Sequence, residues 1–411
     1  MVRGILLISL TTLLSCYQPK DSLLLKDILS SMDQNFTSIV NEPTKHYLQV
    51  MYTQIDRDAD QAPIFTTHAF NVNPKKYFYP ASTVKLPAAV LSLDKLRRYE
   101  SLGITKDTKL TIGSSQDWMS PVKGDSTHEL GYATVAHYIK KIFVVSDNDA
   151  YNRLYEFLGQ ERFNQRMWDL GYLETRIRHR LSIRLSPDQN KYSNAFSFYS
   201  RDTKLLDQPM QYSNLDLDVN TKSNFIGKSY IVDGKKIESP MDFSSKNFFS
   251  IAEQHLFLQQ VMFPDYVNTK QRLYLNASDY TFLYEWMSKL PKESIFPSYS
   301  DRDKYFDGYC KFFMFGDTNE KIPKNIRIYN KVGMAYGFLI DNAYIIDTDN
   351  NIEFFLTASV YSNNNETLND DRYEYDEITL PFMAELGTQI YKYELSRKKS
   401  IAPDFSRFVQ Q

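Results

Sequence analysis

Two hydrophobic periods run along this chain, a strand-like period of two near both ends and a helical period between them. Leu23–Val40 carries apolar residues at helical spacing and predicts an amphipathic helix. Tyr47–Asp56 and Ile64–Val72 predict two strands, with Asp58–Pro63 as the turn between them. The run Val84, Leu86, Ala88, Ala89, Leu91 and Leu93 predicts a helix so apolar that most of its sides must be buried. Pro87 removes an early intrahelical hydrogen bond there, so a distorted first turn is expected. Mostly helical patterns continue to about Gly171 and resume at Ile251–Met262 and Ala277–Leu290. Ile326–Lys331, Phe338–Ile346 and Ile352–Tyr361 then predict three consecutive strands, the last two joined at Asp349-Asn350-Asn351. A helix at about Glu377–Ser396 follows, and Arg397–Lys399 reads as its solvated end. Between the helical stretches, Ser186–Ser250 is rich in Ser, Asn, Asp, Lys and Tyr, with a hairpin expected at Tyr230–Ile237 around Asp233-Gly234.

Composition narrows the function classes. At 411 residues, 42% hydrophobic and 24% charged, the chain can bury an ample core. A net charge of −2 argues against nucleic acid and against an electrostatic membrane patch. The six His residues show no ligand spacing, so no metal and no cofactor is expected. Thirty Tyr and 27 Phe are many, and much of the Tyr is expected at amphipathic surface and rim positions.

The candidate chemistry lies in three short motifs: Ser82-Thr83-Val84-Lys85, then Ser146-Asp147-Asn148, then Lys331-Val332-Gly333. S-x-x-K by itself says little, because Ser92–Lys95, Ser120–Lys123 and Ser396–Lys399 also fit it. Only the copy at Ser82 is followed at suitable distances by the other two motifs. A serine hydroxyl becomes a useful nucleophile when a neighbouring base takes its proton. Residues three apart on a helix share a face, so Lys85 would sit beside Ser82. A desolvated lysine near a second cation such as Lys331 gives up its proton more easily and can act as that base. Asp147 and Asn148 open an apolar-periodic stretch, where an isolated S-D-N would be no more than a helix cap.

In their order these motifs resemble the active-site set of class A β-lactamases and penicillin-binding proteins. The resemblance implies an α/β (α+β) fold of the serine β-lactamase type, with a five-stranded antiparallel sheet flanked by terminal helices and an all-helical lobe. The sheet lobe would take about 23–80 and 320–397. The helical lobe would take about 81–319, with an insertion at about 186–250 that is either a rim for the active site or a surface elaboration. It implies Ser82 as nucleophile, Lys85 as base, Ser146 as proton donor to the leaving group and Lys331 as the cation for a substrate carboxylate. Asn148, Gly333 and Met334 would bind substrate, the Met334 N–H pairing with the Ser82 N–H as an oxyanion hole.

Two departures stand out. Val332 replaces the family's Thr or Ser, whose hydroxyl contacts the substrate carboxylate. In the pattern T-R-x-x-R-x-E-x-x-x-N, started by Thr175-Arg176-Ile177-Arg178-His179-Arg180, Leu181 falls at the glutamate and Leu185 at the asparagine. A slip of one residue offers Ser182, and the next acid is Asp188. The resemblance therefore implies hydrolysis of a β-lactam amide, or a D-Ala-D-Ala peptidase acting on peptidoglycan stem peptides. A non-catalytic binding module on the same fold is the alternative from another class.

Arg3 and the apolar run Ile5–Leu14 read as an export signal, too short to span a bilayer. Leu13-Leu14-Ser15-Cys16 resembles a lipobox, which would make residues 1–16 a lipoprotein signal and Cys16 the lipidated start of a catalytic domain over 17–411. A plain secretory signal is the alternative. With Cys16 lipidated, Cys310 has no disulfide partner. A monomeric cell-envelope lipoprotein of the periplasm or outer membrane is expected, touching the membrane only through its anchor.

Overall fold

Strands from the two ends of the chain meet in one sheet. The computed structural model describes residues 20–218, 224–267 and 271–408, so the expected signal segment and Cys16 lie outside the described residues. The sheet strands are β1 (Gln49–Arg57), β2 (Pro63–Phe70), β3 (Ile326–Ala335), β4 (Phe338–Asp347) and β5 (Ile352–Tyr361). They lie in the order β3-β4-β5-β1-β2, with every neighbouring pair antiparallel. The helices that position the site are α1 (Leu23–Ser30), α2 (Lys85–Leu96), α3 (Val135–Val145), α4 (Asn148–Leu158), α5 (Gln160–Asp169), α6 (Ile251–Met262), α7 (Ala277–Ser288) and α8 (Leu380–Ser396).

Interior strand β4 is buried along its whole length, because α6 covers one face of the sheet while α1 and α8 cover the other. That explains its nearly unbroken apolar run. Its two central polar residues are satisfied inside the protein. Asp341 accepts from Asn330 Nδ2 at 2.8 Å and from the Phe312 N–H at 3.0 Å, and Asn342 donates to the Gln254 carbonyl at 2.9 Å. Helix α2 is buried at every position from Lys85 to Leu96, as its composition requires. The first turn is displaced as Pro87 suggested: Ala81–Val84 is a 3₁₀ turn, and regular helix begins only at Lys85.

Several expectations need correction. The helix expected over Leu23–Val40 ends at Ser30, and a separate turn restarts at Gln34 where the Asp33 carboxylate caps the Asn35 N–H. The helical lobe is not all helix. Phe196–Ser200 in the insertion pairs with Lys109–Ile112 and Thr203–Gln208 in a three-stranded sheet. Arg397 and Lys399 are not solvated: both reach the buried Glu394 carboxylate, and Arg397 also pairs with Asp56. The following tail packs Phe408 against Tyr329 and Tyr344. Many tyrosines are core residues instead of rim residues, with Tyr52, Tyr77, Tyr138, Tyr151, Tyr155, Tyr329 and Tyr344 fully buried.

One buried ion pair closes the far end of the sheet. Arg57 on β1 grips Glu353 on β5 through Nε and Nη2, each at 2.6 Å, and Tyr344 on β4 donates to the same carboxylate at 2.7 Å. Glu353→Ala strands a buried guanidinium and should lower unfolding free energy by about 3–5 kcal/mol in urea titration. Glu353→Gln, which keeps the acceptor, should lose less.

Candidate active site

The buried aromatic lead-in Tyr77–Tyr79 brings the chain to Pro80, where Ala81 turns it with φ of +47°. A non-glycine residue in this region is strained, and the surrounding packing must hold it. Strand β3 does so by running directly over the turn. A Cβ on Gly333 would lie 2.7 Å from the Pro80 carbonyl oxygen and 3.2 Å from the Ala81 Cβ, so only glycine allows the approach. Ser82 therefore sits under the Gly333–Met334 edge, partly open to solvent, with its hydroxyl free of hydrogen bonds among the described residues.

Lys85, one turn on, is fully buried. Its ammonium donates to Asn148 Oδ1 at 2.6 Å, to Ser146 Oγ at 3.2 Å and to the Ser146 carbonyl. Lys331 on β3 donates to the same Ser146 Oγ at 2.8 Å and to the Val332 carbonyl at 2.9 Å. Burial pushes the Lys85 proton affinity well below the ordinary lysine range, and the nearby Lys331 charge adds to this. Burial brings Lys331 down to about 8, opposed by Cys310 and Asp341. The structure thus brings Ser82, Lys85, Ser146, Asn148, Lys331, Gly333 and Met334 to one seam between sheet and helices.

The local chain explains the middle motif. Ser146 ends α3 in the left-handed region, φ +58°, and Asp147 caps α4 by accepting from the Ala150 N–H at 2.7 Å. The cap reading thus holds for Asp147, while its two neighbours turn to the lysines. Two Ser146 lone pairs are occupied by ammonium donors, which leaves its O–H proton free to point elsewhere.

The loop after Arg176 is tied to α4. Asn152, one helical turn beyond Asn148, accepts from the Leu181 N–H at 2.8 Å and donates to the Leu181 carbonyl at 2.9 Å. Leu181 itself is buried, and the next residue, Ser182, accepts from Asn148 Nδ2 at 2.7 Å. The loop thus presents a hydroxyl to the site. Asp188 is exposed and takes a hydrogen bond from Tyr212 at 2.8 Å in the insertion. Leu185 lies beyond these contacts, and the Asn190 carboxamide binds its carbonyl.

Sequence reasoning missed three supports. Asn152 could have been found as the second asparagine, four residues on, of one α4 face. Asp341 was visible as a carboxylate inside an apolar strand, and burial raises it to about 6. Lys311, buried behind Lys331, donates to Asn330 Oδ1 at 2.6 Å and is lowered to about 8 by burial. No pattern marked it. Cys310 beside it is buried and unpaired, and burial pushes its thiol up.

A family model described as the beta-lactamase enzyme family matches residues 34–393. Comparison with curated proteins gives no match. Among solved structures, a beta lactamase from Xanthomonas campestris pv. campestris is 13% identical, with a TM-score of 0.48 over 90% of this chain and 98% of its own. A class A beta-lactamase from Mycobacterium abscessus is also 13% identical, covering 90% and 98% with a TM-score of 0.47. An ancestral class A beta-lactamase reaches 15% identity, 87% and 98% coverage, and a TM-score of 0.47. The family match spans both lobes and all three motifs, and the chain belongs to the beta-lactamase enzyme family.

Proposed function

We propose that this chain is a serine hydrolase acylated at Ser82 that opens β-lactam amide bonds and releases the product slowly. The observation that carries this reading is the convergence of Lys85 and Lys331 on Ser146 Oγ beside an unengaged Ser82 hydroxyl. In its neutral form Lys85 takes the Ser82 proton as the oxygen attacks the carbonyl carbon. The developing oxyanion lies between the Ser82 and Met334 N–H groups. The proton passes from Lys85 to Ser146 Oγ, and Ser146 gives its own to the departing nitrogen. Lys331 holds Ser146 and keeps one N–H for a substrate carboxylate, with no hydroxyl from Val332 to assist.

Release needs a water and a base. Lys85 is neutral again after the relay, but the loop contributes Leu181 and the weakly basic Ser182 hydroxyl where a carboxylate would help. The same feature favours a second reading, a D-Ala-D-Ala peptidase of the penicillin-binding type that stays acylated by β-lactams.

Intact-mass spectrometry of the chain without residues 1–16, mixed with a penicillin, should show an adduct on Ser82 that outlasts free drug. Ser82→Ala should give no adduct with an unchanged far-ultraviolet circular dichroism spectrum, and turnover by that variant would overturn the mechanism. Rapid loss of antibiotic with no lasting adduct would refute slow release.

Acylation should follow a bell in pH. It rises as Lys85 loses its proton, which its lowered affinity places far below the usual lysine range. It falls through about pH 8 as Lys331 loses its charge. Lys331→Arg, charged throughout, should keep measurable acylation and lose the falling limb when the rate is followed from pH 6 to 10.

A further inference from the structure

The insertion and the Thr175–Leu185 loop enclose a cavity of about 250 Å³ beside the motif site. Its walls carry Gln160, Arg178, His179, Lys191, Lys246 and Asp216. The backbone of Arg178 is firmly held: its N–H donates to Asn247 Oδ1 at 2.7 Å, and its carbonyl accepts from Gln160 Nε2 at 2.7 Å and from the Tyr155 hydroxyl at 3.1 Å. Its guanidinium, by contrast, has no partner among the described residues, and its Nε is shut off from solvent. The ammonium groups of Lys246 and Lys191 likewise have no carboxylate or carbonyl partner there. Each has only a ring near it, Tyr336 at 6.0 Å and Tyr212 at 5.9 Å. The acid on the wall, Asp216, is exposed and forms no close ion pair with them, although its charge and that of Asp218 both act on the Arg178 guanidinium. Three cations set against the exposed carboxylates of Asp216 and nearby Asp218 leave the cavity with a small excess of positive charge.

Two buried acceptors are also unmatched. Gln160 is 5% exposed, and the bond from its Nε2 to the Arg178 carbonyl fixes the amide with Oε1 left over. His179 Nδ1 lies 2.5 Å from the Arg180 carbonyl, so the neutral ring carries its proton on Nδ1 and offers a lone pair at Nε2, which has no partner. Buried polar groups are normally matched, and a cavity with orphan donors and orphan acceptors is shaped for a ligand carrying both complements.

We infer that this cavity binds a small oxyanion bearing an O–H or N–H donor: its oxygens meet Arg178, Lys191 and Lys246, and its donor meets Gln160 Oε1 or His179 Nε2. Hydrogen phosphate and a short hydroxy- or amino-carboxylate share that chemistry, and the cavity has room for either. His179 stacks on Tyr79 with centroids 6.1 Å apart and planes 4° apart, so the ligand would brace the lead-in to Ser82 from behind. The inference stands independently of acylation.

Isothermal titration of the chain without residues 1–16 tests it, with inorganic phosphate and lactate as probes and sulfate and acetate as their donor-free counterparts. Saturable binding of phosphate or lactate is expected, at least tenfold tighter than the matching counterpart. Preference between the two probes identifies the source of the anion. Arg178→Gln should weaken binding tenfold or more, and Lys246→Gln, whose ammonium has no hydrogen-bond partner among the described residues, several-fold, with circular dichroism checking that each variant stays folded. Failure of both probes to bind at millimolar concentration would overturn the site. Binding that Lys246→Gln leaves unchanged, or equal affinity for sulfate and acetate, would overturn it as well.

Discussion

Two ammonium groups, those of Lys85 and Lys331, meet at the Ser146 hydroxyl with 0% and 2% of their residues' surface exposed. Burying like charges so close is unfavourable unless every N–H finds an acceptor and one proton is easily lost. Much of the surrounding architecture serves that condition. Asn148 Oδ1 and the Ser146 and Val332 carbonyls take the donors. Those acceptors can gather only because α3 ends in a left-handed turn, because α4 starts at once under the Asp147 cap, and because glycine at 333 lets β3 lie against the Ser82 turn. Behind them Asn330 links Lys311 to Asp341, so the polar cluster extends into the centre of the sheet. The two lobes are thus joined through their polar seam as well as through apolar packing, and the proposed chemistry sits at that junction.

What was legible in the chain follows from this. The main sheet was readable because its strands are bounded by turn residues and buried on both faces or alternating. Ile352–Tyr361 matches the expectation end to end, and β1, β2 and β4 match within two residues at each end. β3 runs four residues past its expected end at Lys331, to Ala335, since a motif read as chemistry is also ordinary strand backbone pairing with β4. The first helix was read too long because its apolar spacing continues through Met32, whereas Asp33 prefers to cap a new turn. The insertion was the least legible part. Its short ladders depend on partners such as Lys109–Ile112, far away in sequence, and local pattern carries no record of such pairing.

The site divides in the same way. Residues proposed to act through side-chain chemistry at short spacing, Ser82 with Lys85 and Ser146 with Asn148, stood out because helix and cap geometry tie spacing to proximity. Residues that act by holding a backbone, such as Asn152 on Leu181 and Asn247 on Arg178 and His179, carry no such mark. Their role appears only once the loop is folded against α4.

That loop separates the two halves of the proposed reaction. Forming an acyl-enzyme draws on Ser82, Lys85, Ser146 and Lys331, which belong to the seam and would survive changes elsewhere. Breaking it draws on whatever the loop extends toward Asn148, and here that is the Ser182 hydroxyl next to a buried Leu181. A positioned general base contributes roughly 10²–10⁴-fold to such a step, so on the proposed mechanism its absence would lengthen the lifetime of the intermediate by that order without touching its formation. The loop is fastened by Asn152, by Asn247 and by the buried Arg180–Glu156 pair at 2.9 Å. A carboxylate cannot swing in from Asp188 unless several of those bonds break. On the proposed mechanism, the chain would keep the part of the fold that captures an acyl group and hold rigidly the part that would govern its release, an arrangement suited to holding a substrate longer than a fast hydrolase would.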